Sequence, residues 1–144
     1  MLSSHTTKKA GKNGPFEADR QTPMTRPDSI HIIADFSNCQ PELLEYSHTG
    51  EMILHKAIEI SGLSCVLIRS HQFEPSGYTA AALLTESHIT LHTWPEHLGV
   101  QIDIFTCGSH EKARKAYDIL KEEFKPGQIA EKILFRRLNS LAEA

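Results

Sequence analysis

Several features are scarce in this sequence of 144 residues, and each shortage argues against a class of protein. No stretch approaches the about 20 consecutive apolar residues of a membrane-spanning helix, and the opening MLSSHTTKKAGKNG lacks the apolar core of a signal peptide. The three cysteines form no CxxC pair, which is typical of reduced thiols in the cytosol. Because 15 basic residues face 18 acidic ones, a basic surface for nucleic acid is not expected. We therefore expect a cytoplasmic protein that binds neither membrane nor nucleic acid.

Histidine, in contrast, is abundant. The sequence contains nine histidines and a single tryptophan, Trp94. Four of these histidines lie close to the tryptophan in the chain: His71, His88, His92 and His97. Imidazole groups near neutral pH both accept and donate protons, so this region is where we expect chemistry.

The distribution of apolar residues predicts one α+β domain over residues 30–144, preceded by a mobile polar tail, residues 1–29. Two segments have helical spacing, Glu51–Ser61 and Glu111–Phe124, and six others read as strands. The predicted order is β-α-β-β-β-β-α-β, with short turns that make most neighbouring strands antiparallel. We expect a two-layer α/β sandwich whose two helices cover one face of the sheet.

The face of the sheet without helices is predicted to be semi-polar. Alternation along residues 88–94 and 100–106 places imidazole, indole, amide and carboxyl groups opposite the apolar side chains: His88, Thr90, His92, Trp94, Gln101 and Asp103. Such a face requires a bound ligand, a partner subunit, or both.

The residue types alone leave three kinds of chemistry open. His88 and His92 share a face but lie about 13 Å apart on a strand, too far to hold one ion, so no metal site is predicted. Cys107 precedes a helix, where a thiolate is stabilised, yet a free cysteine is commonly a small packing residue. Ser87 can attack the carbonyl of Glu86 if the chain bends there, and it is equally an ordinary turn residue.

Three motifs stand together in this chain: HQFEPSGYT at residues 71–79, ESHITLHTWPE at residues 86–96 and DIFTCG at residues 103–108. In this order and with these separations they resemble the small prokaryotic S-adenosylmethionine decarboxylases, over roughly residues 30–138. The resemblance implies a proenzyme that cleaves itself between Glu86 and Ser87 into a β chain, residues 1–86, and an α chain, residues 87–144. Ser87 then becomes a pyruvoyl group, the cofactor of the enzyme.

The resemblance also implies individual roles. The pyruvoyl group from Ser87 forms a Schiff base with the substrate amine and acts as an electron sink while CO₂ leaves. His92 accepts a proton during processing, Thr79 assists processing, and Cys107 is the proton donor to the product carbon. Strict alternation puts Ser87 and His92 on opposite faces of their strand, so this assignment requires a bend at Ser87.

Substrate recognition rests on three further candidates. Phe73 and Trp94 are suited to stack on adenine or face the sulfonium cation, although large aromatic residues fit a core equally well. Glu96 is suited to accept hydrogen bonds from both ribose hydroxyls. The segment 97–101 departs from the tyrosine-rich stretch of the family and borders the expected pocket.

Three functions follow from the resemblance. The first is decarboxylation of S-adenosylmethionine for spermidine biosynthesis, by a homodimer of processed αβ pairs. The second is a pyruvoyl-dependent ornithine or arginine decarboxylase of the same fold. The third is a catalytically dead regulatory paralogue, against which the presence of Ser87, His92 and Cys107 argues.

Overall fold

The computed structural model describes residues 28–144, the side chain of Ser140 excepted. Within this range seven strands and two α-helices follow one another: β1 (Asp28–Ser37), α1 (Ser47–Ser61), β2 (Cys65–Gln72), β3 (Tyr78–Leu84), β4 (Ser87–Trp94), β5 (Gly99–Thr106), α2 (His110–Phe124), β6 (Gln128–Arg137) and β7 (Ser140–Glu143). Short 3₁₀ turns lie at Pro41–Leu43 and Pro95–His97.

The strands form one sheet in the order β2-β3-β4-β5-β1-β6-β7. Every neighbouring pair is antiparallel, and β1 lies between β5 and β6 although it comes first in the chain. The two helices pack against each other and cover one face of this sheet. The predicted two-layer α+β architecture is confirmed.

The structure adds one strand and extends two predicted elements. The strand β7 has only four residues and forms by pairing with β6, so local alternation could not reveal it. Helix α1 begins at Ser47, one turn before its predicted start. Strand β1 begins at Asp28, because Asp28 and Ser29 pair with β6; the rest of the predicted tail, residues 1–27, lies outside the described residues.

The hydrophobic core fills the space between the sheet and the helices. Alternate residues of β1, β4 and β5 point into the core, as the alternation of apolar residues in the sequence predicted. The apolar faces of α1 and α2 pack against them. The residues that are at most 1% exposed include Ile30, Ile32, Leu54, Ala57, Ile89, Leu91, Ile104, Ala113, Leu120 and Phe124. Burial of this apolar surface is the main force that holds the two layers together.

One contact in this core depends on a glycine. Gly50 of α1 lies over the ring of Tyr78, and a Cβ at this position would come within 2.7 Å of the ring's Cζ. Tyr78 is completely buried, and its hydroxyl donates a 2.7 Å hydrogen bond to the carbonyl oxygen of Leu43. Tyr78, the first residue of β3, is therefore fixed both by the packing of Gly50 on its ring and by the hydrogen bond of its hydroxyl.

The opposite face of the sheet, here called the open face, has no helix on it. Apolar side chains that are two-fifths or more exposed lie on it beside polar ones, among them Ile33, Leu83 and Trp94. The predicted semi-polar character is confirmed. Among the helices that the structure describes, none is long and apolar enough to cross a membrane.

Candidate active site

The peptide bond between Glu86 and Ser87 lies at the start of β4, beside the end of β5. The carbonyl oxygen of Glu86 accepts a hydrogen bond from the backbone N–H of Cys107 at 3.0 Å and another from Sγ of Cys107 at 3.2 Å. The Thr106 hydroxyl donates to the same oxygen over 3.5 Å. Three donors thus point at one carbonyl oxygen, an arrangement that stabilises negative charge when a nucleophile attacks the carbonyl carbon.

Antiparallel pairing brings these groups together. Ser87 pairs with Thr106 across β4 and β5, so the residue before Ser87 meets the residue after Thr106. The backbone N–H of Gly108 donates to the Thr106 hydroxyl at 3.0 Å, which fixes that oxygen. A Cβ at Gly108 would lie against the Glu86 carboxylate and 3.4 Å from the Thr106 hydroxyl, so a larger residue here would displace the Glu86 side chain.

Ser87 itself lies on the helix side of β4 and is 8% exposed. It borders a cavity of about 190 Å³ that also contains Glu86 and Lys112. Its hydroxyl makes no hydrogen bond with any group of residues 28–144. The candidate nucleophile is therefore beside its target carbonyl but has no base bonded to it within the described chain.

A second cavity, of about 350 Å³, opens at the other end of β4. It is lined by all three predicted substrate-binding residues and by two predicted processing residues: Phe73, Trp94, Glu96, Thr79 and His92. Nδ1 of His92 and the hydroxyl of Thr79 are 3.0 Å apart. Since the side chains of Phe73 and Trp94 are 47% and 46% exposed, neither is a core residue.

The predicted site residues therefore form two groups, one at each end of β4. His92 comes five positions after Ser87, a distance of about 16 Å along a strand. The chain bends at Thr85 and Glu86, directly before Ser87, but Ser87 pairs in register like the rest of β4, so the strict alternation along β4 holds. Ser87 faces the helices and His92 the open face, so the two side chains do not meet within one chain.

Between the two groups the open face carries a polar cluster centred on Asp103. Both carboxylate oxygens of Asp103 lie 2.9 Å from Nε2 of His31, and one lies 3.2 Å from Nε2 of His88. The ring of His88 stacks on Phe105. In the described part of the chain no group of three or more histidine, cysteine, aspartate or glutamate residues has the arrangement of a metal site.

Comparison with known proteins decides the family. The family model described as S-adenosylmethionine decarboxylase matches residues 30–137. The chain belongs to the S-adenosylmethionine decarboxylase family. It is 40% identical over 107 residues to an S-adenosylmethionine decarboxylase proenzyme of Sulfurihydrogenibium sp. (strain YO3AOP1), covering 74% of this chain and 80% of the relative.

Two further relatives agree with this assignment. A proenzyme of the same name from Archaeoglobus fulgidus is 37% identical over 106 residues, 74% of this chain and 95% of the relative. The crystal structure of the adenosylmethionine decarboxylase from Aquifex aeolicus superimposes with a TM-score of 0.71 at 30% identity, covering 76% of this chain and 88% of that one. Membership of the decarboxylase family therefore rests on sequence and on fold.

Some residues at the candidate site or next to it were not singled out from the sequence. Thr106 lies inside the DIFTCG motif, but only the pairing of β4 with β5 shows that its hydroxyl reaches Glu86. Asp35 and Gln101 join a hydrogen-bond chain to Trp94. The alternation of β4 and β5 had placed Trp94 and Gln101 on the open face, but only the pairing of the strands shows that their side chains meet and that Asp35 of β1 joins them.

Proposed function

We propose that this chain is a self-processing, pyruvoyl-dependent decarboxylase of S-adenosylmethionine, acting in the cytoplasm in spermidine biosynthesis. The observation that carries the proposal is the set of three donors on the Glu86 carbonyl oxygen. An ordinary turn serine has no need of such an arrangement. The family assignment supplies the substrate class, since the matched relatives are named for it.

The processing step uses groups of this chain. The Ser87 hydroxyl oxygen attacks the Glu86 carbonyl carbon, the C–N bond breaks, and an ester with a free Ser87 amine results. Loss of the Ser87 α-proton and of the Glu86 carboxylate then leaves a dehydroalanine, whose imine tautomer takes up water and releases ammonia. The Cys107 and Thr106 donors stabilise the charge on the Glu86 oxygen in the first step.

The donor set around Glu86 fits a pyruvoyl group made at position 87. Such a group supplies an electron sink for the carbon that loses CO₂. The Sγ of Cys107 lies 3.2 Å from the Glu86 oxygen, and its S–H group would supply the proton that the product carbon receives. Phe73, Trp94 and Glu96 would bind the adenosine part, with aromatic faces for the base and a carboxylate for the ribose hydroxyls.

A homodimer would remove the separation of Ser87 from His92 along β4, while the Ser87 side chain still faces the helices of its own chain. A second copy packed on the open face, related by a two-fold axis that crosses β4, reverses the strand direction. His92 of one chain, with the cavity of about 350 Å³ that it lines, here called the adenosine cavity, would then lie over the Ser87 end of β4 of the other chain. The half-exposed apolar residues of the open face, such as Ile33 and Leu83, would be covered in the same step. We therefore infer two active sites, each formed by both subunits.

The function is tested by chain mass and by CO₂ release. Processing divides the 144 residues into chains of 86 and 58, the second lacking a free amino terminus. Purified protein is then given S-adenosylmethionine, ornithine or arginine carrying a labelled carboxyl group. Label released from S-adenosylmethionine alone supports the proposal. Release of label from ornithine or arginine would identify that amino acid as the substrate instead. A chain that stays intact after long incubation would refute the proposal that the protein is a self-processing enzyme.

The shared site is tested by co-expressing two inactive variants, Ser87→Ala and His92→Ala. A mixed dimer has one site with both an intact Ser87 and an intact His92 from the other chain, so part of the His92→Ala chains should be cleaved. Each variant expressed alone is the control and should stay uncleaved. If co-expression also leaves every chain intact, His92 does not act across the dimer.

A further inference from the structure

Trp94 lies between two cavities and is held by a residue outside the site described above. It lines the adenosine cavity and also a neighbouring cavity of about 370 Å³ that contains Asp35 and Gln101. Its indole N–H donates a 3.0 Å hydrogen bond to Oε1 of Gln101, and Nε2 of Gln101 donates to Oδ1 of Asp35 at 3.3 Å. A chain of hydrogen bonds thus crosses β4, β5 and β1 on the open face.

The direction of this chain is fixed by the chemistry of its ends. An indole N–H only donates, and an ionised carboxylate only accepts. The Gln101 amide therefore has one orientation in which both ends are satisfied, with its oxygen toward Trp94 and its nitrogen toward Asp35. A side chain held from both ends loses little further freedom when a ligand arrives.

The register explains how Gln101 reaches Trp94. Gln101 pairs with His92 on one side and with Asp35 on the other, so it is the diagonal neighbour of Trp94 on the same face, within reach of a long side chain. The neighbour directly opposite Trp94 is Gly99, which has no side chain to support the indole. On the β5 side, Gln101 is therefore the residue whose side chain reaches the indole N–H.

We propose that Gln101 is a positioning residue that sets the indole of Trp94 as a wall of the adenosine cavity, with Asp35 orienting Gln101. This inference rests on the proposed function for the identity of the ligand. Gln101 acts on this cavity through its hydrogen bond to Trp94. Its effect is on ligand affinity, since it touches neither the Glu86–Ser87 bond nor Cys107.

The lone tryptophan makes the proposal measurable without turnover. Because Trp94 is the only tryptophan of the 144 residues, protein emission excited at the indole band reports on this side chain alone. The variants are Gln101→Met, which keeps the length and loses both hydrogen bonds, and Asp35→Asn, which keeps an acceptor for Gln101. The matched control is Gln128→Met, the same change at the exposed first residue of β6.

Three measurements are made on each variant: emission maximum, quenching by acrylamide, and titration with 5′-methylthioadenosine, which has the adenosine and sulfur but no carboxyl group to lose. For Gln101→Met we expect emission at longer wavelength, stronger quenching, and affinity weaker by about threefold to tenfold, the effect of one lost hydrogen bond. Asp35→Asn should give a smaller shift of the same sign, and Gln128→Met none. In decarboxylation, Gln101→Met should raise KM for S-adenosylmethionine and leave kcat near wild type.

The outcomes separate this inference from the proposed function. If Gln101→Met leaves emission and quenching unchanged, Gln101 does not hold Trp94 and the inference is wrong, whatever the enzyme does. If kcat falls while KM stays, Gln101 acts on the chemistry and the positioning role is wrong. If the wild type binds 5′-methylthioadenosine but releases no CO₂, the proposed function fails while the emission data still decide the role of Gln101.

Discussion

The sharpest test of the proposed processing is the rate at which the Glu86–Ser87 bond is cleaved. Replacing Cys107 with alanine removes the Sγ donor, 3.2 Å from the Glu86 oxygen, and leaves the backbone N–H at 3.0 Å in place. Removing one such donor typically slows a reaction by about 10²–10³-fold. A thiol is a weaker donor than a hydroxyl or amide, so we expect cleavage to slow by about 10- to 100-fold.

The assay is a time course of freshly synthesised protein on a denaturing gel, in which chains of 86 and 58 residues replace one of 144. Cys107→Ser is the matched control, because its hydroxyl keeps a donor at this position and should cleave close to the wild-type rate. The same control should release CO₂ poorly, since a serine hydroxyl is a much weaker acid than a thiol. Cys107 is exposed, so these changes should alter folding stability little. Wild-type cleavage by Cys107→Ala would refute the role of the thiol in processing.

Four further predictions follow. Ser87→Ala should abolish both cleavage and CO₂ release, and CO₂ release by that variant would rule out a cofactor made from Ser87. Thr106→Val should slow cleavage by about threefold on the same gel, less than Cys107→Ala, because the Thr106 hydroxyl is the most distant of the three donors to the Glu86 oxygen. A larger loss than that of Cys107→Ala would show that Thr106 is the more important donor. Gly50→Ala should lower the free energy of unfolding by about 1–3 kcal/mol in urea titrations, because its Cβ would collide with Tyr78, whereas alanine at the exposed helical position Glu59 should not. Tyr78→Phe should cost about 1 kcal/mol at neutral pH for the lost bond to Leu43. Burial raises the pKa of Tyr78 in the folded protein. The stability that comes from its neutral phenol is therefore present in full below the unfolded pKa near 10 and is lost as the pH rises further. The difference in the free energy of unfolding between wild type and Tyr78→Phe should narrow above about pH 10, and a constant difference would contradict this.

Much of the fold could be predicted because local patterns reflect the two layers. The alternation in β4 and β5 separated Ile89 and Ile104 from His92 and Asp103, and the buried and open faces follow it. Helix α2 lies where the helical spacing of Glu111–Phe124 predicted it, and the Ser109 hydroxyl caps it by accepting from the backbone N–H of Lys112. The strand β7 escaped prediction since four residues carry too little periodicity.

The candidate site could be predicted only in part. The motifs identified Ser87, His92 and Cys107 as site residues through the resemblance to the family. That identification rests on residue types and on their separations along the chain. They contain no information on which pairs touch in space. In the structure Cys107 meets Glu86 through strand pairing, whereas His92 meets Thr79 at the far end of β4.

The sequence by itself determined the α+β class, the semi-polar face, the self-cleaving bond as a hypothesis and the family. These properties are carried by periodicity and by short motifs, which act over a few residues. Only the tertiary structure decided that three donors converge on the Glu86 oxygen, that Ser87 and His92 are apart, and that Gln101 holds Trp94. Each of these depends on the register between strands that are distant in the chain, and register is set by how the whole core packs.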